Sequence, residues 1–227
     1  MGEGIPLEIL RENIQYLYSA YPPDKEVMEF HGPKPISFRR SKKDLQLITE
    51  FIECQTAEIP WICTEDISIR IEWMINDRDR YESDSVPDLD NIVKPILDSL
   101  CGQKGIIIDD CQVVDFSASC LGGWDPGRNC FHLHFNLPTA GLFDNYGCIP
   151  RTELIFVDIG DNLFVPVNRK IESEVWRVES CLEWVRNRPR NNPCEEGMPI
   201  RRIFHRTRVA KRSEIKMTAE EFIGNYK

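Results

Sequence analysis

Alternation is sharpest between Asp66 and Ile75, where Ile67, Ile69, Ile71, Trp73 and Ile75 take every second position and Ser68, Arg70 and Glu72 fall between them. A two-residue period sends successive side chains to opposite faces, so this segment is predicted to be a strand with one buried face. Upstream, the apolar stretch Val27, Met28 and Phe30 ends at Gly32-Pro33-Lys34-Pro35, and after Ser41 the residues Leu45, Ile48 and Ile52 recur at helical spacing. The order is strand, basic loop, then a helix over Lys42–Gln55. Asn76–Ser85 carries no apolar spacing and reads as a mobile loop. Behind it, Ile92/Val93, Ile96/Leu97 and Leu100 form an apolar stripe. That stripe predicts a helix capped by Asp90 or Asn91 and kinked at Pro95, because an interior proline removes a helical hydrogen bond and clashes one turn back.

Gly102 and Gly105 end this helix, and Ile106-Ile107-Ile108 leads into Asp109-Asp110. Gln112–Cys120 and Cys130–Leu137 are predicted as two strands of a hairpin, with His132 and His134 on the polar face of the second. Past Pro138 the pattern changes. Glu153–Ile159 and Leu163–Asn168 flank Gly160-Asp161-Asn162 as a second hairpin. Ile171, Val175, Val178, Leu182 and Val185 trace an amphipathic helix, and Thr218-Ala219-Glu220-Glu221 opens a last short helix with a capping box. Residues 1–25 read as a leader with a weak helix stopped by Pro22-Pro23.

The nine cysteines are an odd, scattered set without a C-x-x-C, which argues against both a secreted disulfide framework and a structural zinc motif. No apolar run approaches the roughly 20 residues needed to cross a bilayer, and Glu3 and Glu8 stand where a signal peptide would be basic and apolar. The expected compartment is the cytoplasm. A net charge of −9 argues against a nucleic-acid binder, but the average hides its distribution. Arg186–Lys216 gathers ten Lys/Arg against three acids, and Gly32–Lys43 holds Lys34, Arg39, Arg40, Lys42 and Lys43 without an acid. Solvated faces are the ordinary fate of such runs; the alternatives for the C-terminal one are a grip on DNA backbone or a protein-docking surface.

Chemistry concentrates at Asp88 and Asp90, separated by one residue at the mouth of a helix. Two such carboxylates repel unless a cation sits between them, and Mg²⁺ or Mn²⁺ suits hard oxygen ligands beside a phosphate substrate. A bare D-x-D also occurs in sugar-nucleotide transferases, and a helix cap beside a solvated acid gives the same letters. Three neighbours strengthen the pattern: Asn91 at the helix start, Lys94 on the same helical face as Asp90, and Asp109-Asp110 where a returning strand brings them back. Metal-dependent phosphodiester cleavage needs this inventory of carboxylates and a cation facing the phosphate. Lys94 read structurally is a surface pair with Asp90. Asp98, placed across the helix from Asp90, is read as a solvated helix residue.

Asp88-Leu89-Asp90-Asn91-Ile92-Val93-Lys94, then Leu97-Asp98-Ser99-Leu100, then Ile108-Asp109-Asp110-Cys111-Gln112-Val113 resembles the signature of the RusA-like Holliday junction resolvases, and the likeness extends more loosely over Phe30–Leu137. The resemblance implies an α+β fold, a small mixed β-sheet with helices packed on it, in a homodimer that nicks opposing strands of branched DNA. It implies Asp88, Asp90 and Asp110 as ligands of Mg²⁺ (Mn²⁺ substituting), Lys94 as the essential lysine near the scissile phosphate, and Asp109 as an acidic neighbour of the third ligand. Lys34, Arg39, Arg40, Lys42 and Lys43 fall where the family has a DNA-facing loop. The expected organisation is a leader (1–25), a RusA-like nuclease domain (26–137) and an α+β extension (138–227) that carries the basic stretch. The competing function is a non-catalytic protein that binds junctions or partners on the same scaffold.

Overall fold

The computed structural model describes residues 27–32, 42–82, 89–123, 130–136, 147–187 and 203–226. Strands β1 (Val27–Gly32), β3 (Ile67–Asn76), β4 (Val113–Gly123) and β5 (Cys130–Asn136) form a four-stranded sheet in the order β1-β5-β3-β4. The pairs β1/β5 and β5/β3 are antiparallel and β3/β4 is parallel, so the sheet is mixed. Ile67, Ile69 and Ile71 of β3 are buried, whereas Arg70 on the other face is exposed and pairs with Glu72. Helices α1 (Lys42–Ala57) and α3 (Leu89–Leu100) lie against the buried face, closing a core of Ile52, Trp61, Ile67, Ile69, Ile71, Ile96 and Leu100. The fold is α+β with a small mixed sheet, as expected.

Three local expectations change. Gln112–Cys120 and Cys130–Leu137 are strands but not a hairpin: β3 lies between β4 and β5 and pairs with both. Alternation marks a strand without naming its partner, and here α3 carries the chain over to a parallel position. Asn76–Ser85 is not all loop, since α2 (Asp77–Glu82) forms within it. Its support is local and polar, an Arg78–Glu82 pair of 3.2 Å one turn apart, so no apolar stripe announced it. Helix α3 begins at Leu89, so Asp90 and Asn91 lie inside it and are not its cap; it runs on through Pro95, whose carbonyl accepts from Ser99 Oγ at 2.5 Å.

The C-terminal part builds a second four-stranded sheet, ordered β10-β7-β8-β9, from β7 (Leu154–Gly160), β8 (Leu163–Asn168), β9 (Phe204–His205) and β10 (Lys216–Thr218). The predicted β7/β8 hairpin is present, and Asp161 and Asn162 turn it with φ of 54° and 61°, a left-handed pair that short polar residues tolerate. Helices α4 (Glu174–Asn187) and α5 (Ala219–Gly224) cover one face, packing Val178, Cys181 and Phe222 onto Ile155, Val157, Val165 and Val167. Thr218 and Glu221 form the expected capping box of α5.

The opposite face of this sheet joins the first unit. Phe156, Phe164, Phe204 and Val209 meet Ile62, Ile108 and Ile149, and β2 (Trp61–Cys63) pairs with β6 (Cys148–Pro150). Two arginines complete the seam. Arg151 donates to the carbonyls of Thr56, Ile59, Gln103, Lys104 and Gly105 at 2.6–3.2 Å. Arg212, its side chain wholly buried, donates to the carbonyls of Gly102 and Ile107 and to Glu214. Gly105 is required in this loop, since a Cβ there would lie 2.0 Å from the Leu100 carbonyl oxygen. Cys63 and Cys148 face each other across β2/β6 without a disulfide between them. No helix of the described residues is long and apolar enough to cross a membrane.

Candidate functional site

The segment Ile108–Val113 is shaped by a reciprocal cap. Asp109 is the N-cap of a short 3₁₀ turn (Asp110–Gln112): its Oδ1 accepts from the Cys111 amide at 3.1 Å, while Gln112 Oε1 accepts from the amides of Asp109 at 3.1 Å and Ile108 at 2.6 Å. Gln112 Nε2 donates to the carbonyls of Cys63 at 3.0 Å and Glu65 at 2.8 Å. One buried glutamine thus satisfies four backbone groups and fixes the turn to the end of β2. The Asp-Asp-x-Gln spacing has a mechanical reason: the side chain that returns to the cap stands three positions after it.

Asp110 projects from this turn into a cleft of about 490 Å³ lined by Leu89, Val93, Lys94, Leu97, Asp98, Asp110, Phe116 and Ala118. The floor is apolar, from α3 and β4, and the charged groups stand along its rim. Lys94 Nζ lies 3.3 Å from Asp98 Oδ2, so its partner on the helix is Asp98. Asp98 is exposed, the solvated helix residue expected, but it is not across the helix from Asp90, because eight residues of helix return a side chain to within about 80° of its start. Its negative charge acts on Asp110.

The acids are electrostatically distinct. Burial works against ionisation of Asp109, but the Cys111 amide and the Arg208 guanidinium outweigh it and hold that carboxyl below its usual range. Burial and the adjacent Asp109 push Asp110 up, with Asp98 adding to the effect and Arg208 opposing it. Burial, then Asp110, Asp109 and Asp98, push the Cys101 thiol up to about 12. Such crowding of carboxylates is what a hard cation relieves, and their oxygen atoms suit one. Among the described residues no three His, Cys, Asp or Glu side chains gather as a metal-binding group. Asp88, Lys34, Arg39 and Arg40 lie outside the described residues; Asp90 is a first-turn position of α3, and Lys42 and Lys43 open α1.

Residues 41–128 match the family model of the endodeoxyribonuclease RusA. This part of the chain is RusA-like. The match contains α1, β3, α3, the Asp109–Gln112 turn and β4, and so both walls of the cleft. No curated protein matches the chain. The second sheet lies beyond the RusA-like segment, yet the turn after its strand β9 supplies a residue to the acidic edge: Arg208 Nη1 is 2.5 Å from Asp109 Oδ1 and 3.4 Å from Asp110 Oδ1. The sequence flagged Arg208 only as one of ten charges in a basic stretch. The same stretch contains Arg212, which is buried in the seam and is no DNA contact.

Proposed function

We propose that this protein is a divalent-metal-dependent, structure-selective endodeoxyribonuclease that resolves four-way DNA junctions by hydrolysing one phosphodiester in each of two opposed strands. The observation that carries the reading is the convergence of Asp110, Lys94 and Asp98 on one cleft inside the RusA-like segment. Helix α3 and the Asp109–Gln112 turn lie side by side, so a phosphate entering the cleft meets Lys94 and Asp98 from one element and Asp110 from the other.

Asp88, Asp90 and Asp110 are the residues proposed to hold Mg²⁺ or Mn²⁺. A bound cation of this kind supplies charge to meet the negative charge developing on the phosphate. Lys94 contributes a second positive charge from the cleft rim, and it is largely exposed, at 67%. Gln112 and Asp109 act one step back, holding Asp110 in place through the turn. Cutting opposed strands without leaving a single nick needs two equivalent sites, which a homodimer supplies. Lys34, Arg39, Arg40, Lys42 and Lys43 are proposed to follow the DNA backbone, the cytoplasm is the proposed compartment, and the second sheet is open to a protein partner. A cleavage assay on junction, fork, flap and linear duplex with Mg²⁺, Mn²⁺ or EDTA tests the reading. Metal-dependent paired nicks in the junction are expected; no cutting of any branched substrate would overturn it.

A further inference from the structure

We propose that Arg208 is a phosphate-binding residue of the cleavage site, contributed by the turn after β9 to the RusA-like segment; this rests on the reading of the cleft as a nuclease site. Among the described residues, Arg151, Arg208 and Arg212 reach across the seam, and they differ in how their donors are used. Arg151 spends Nε, Nη1 and Nη2 on five backbone carbonyls. Arg212 spends the same three nitrogens on two carbonyls and Glu214, with its side chain 0% exposed. Both are structural, and neither has a donor edge left for a ligand.

Arg208 differs on each count. It engages Asp109 and Asp110 through Nη1 alone, its side chain is 46% exposed, and among the described residues Nε and Nη2 have no hydrogen-bond partner. An Nε/Nη2 edge is the planar fork that binds two phosphate oxygens together. The acids that anchor it are the ones a phosphodiester must approach, and an unscreened acidic pair would repel that approach. Anchored at their edge, the guanidinium offsets the repulsion and presents its remaining donors beside Asp110. Exposed Arg206 and Lys211 flank it on the same segment.

The test uses the full chain with Arg208→Gln and Arg208→Lys. Single-turnover cutting of a four-way junction is measured with Mg²⁺, and junction affinity is measured against salt in EDTA. Arg208→Gln is expected to cut about 100-fold more slowly and to bind with a log-log salt slope shallower by about 0.9 per arginine engaged. Arg208→Lys, which keeps the charge and loses the fork, is expected to restore the slope while cutting slowly. Wild-type rate and slope in both variants would overturn the proposal, and faster cutting by Arg208→Gln would do so too, making Arg208 a plug in the cation's place. Should Arg208→Gln fail to fold, Arg208→Lys decides: wild-type rate and slope overturn the proposal, a slowed rate with a kept slope supports it. If the wild-type protein cuts nothing, the nuclease reading fails, and the salt slopes in EDTA still decide whether Arg208 holds phosphate.

Discussion

Gln112 donates its side-chain amide to the Cys63 carbonyl at 3.0 Å, and this bond ties the turn that carries Asp110 to strand β2. The same side chain accepts from the Ile108 and Asp109 amides, so its loss strands several buried backbone groups at once. Replacing Gln112 by Leu is expected to cost about 2–4 kcal/mol. For a chain of this size that lowers Tm by very roughly 4–16 °C. Junction cutting should fall further than stability accounts for, because Asp110 loses its fixed position. Differential scanning calorimetry with cutting measured well below Tm checks both; an unchanged Tm would remove Gln112 from this role.

Asp110→Asn, and equally Asp88→Asn and Asp90→Asn, should lower Mg²⁺-dependent cutting by at least about 100-fold and leave junction binding in EDTA intact. The comparison that matters is rate against affinity for each variant. A fully active Asp110→Asn protein would mean the cleft is not the cutting site.

Lys94 separates function from fold by magnitude. Its pair with Asp98 is exposed on both sides, 67% and 56%, and such i,i+4 pairs contribute about 0.3–0.5 kcal/mol. Lys94→Ala should therefore barely shift Tm while turnover collapses. A variant that melts several degrees lower and cuts normally would reverse the assignment.

The Arg212–Glu214 pair in the seam carries a pH dependence. Burial raises the Glu214 carboxyl, but the Arg212 guanidinium outweighs it and holds it below its usual range in the folded protein. A depressed folded-state value means this contribution is fully present above the unfolded pKa and is lost as pH falls through the folded one. Stability should thus drop in the acid range, and Glu214→Gln should flatten that part of the profile. Arg212→Met alone, which leaves Glu214 partly buried and unpaired, is expected to cost about 3–5 kcal/mol. Denaturant melts from neutral to acid pH measure both effects.

The α+β class, strand β3, helices α1 and α3, the β7/β8 hairpin and the α5 cap were legible because each has a one-dimensional signature: alternation, a helical stripe, or a cap at fixed spacing. Strand partners were not, since Ile67, Ile69 and Ile71 look the same whichever strands lie beside them. Asp110 and Lys94 were legible through motif spacing. Asp98 was legible as a solvated residue but not as a neighbour of the cleft, its angle around the helix having been reckoned wrongly, and Arg208 was hidden because the hundred or so residues between it and Asp109 give no local sign that they meet.

Arg151 and Arg212 grip the first unit almost wholly through main-chain oxygens, at Thr56, Ile59, Gly102 to Gly105 and Ile107. Such a lock reads the path of the chain and is blind to the side chains along it. Lys104, whose side chain pairs with Glu53 of its own unit, can therefore be exchanged without loosening the two halves, whereas Gln103 adds a side-chain bond of its own to Ser213 at 2.9 Å. Gly105 is the exception, because any side chain there forces the loop off the path that both arginines grip.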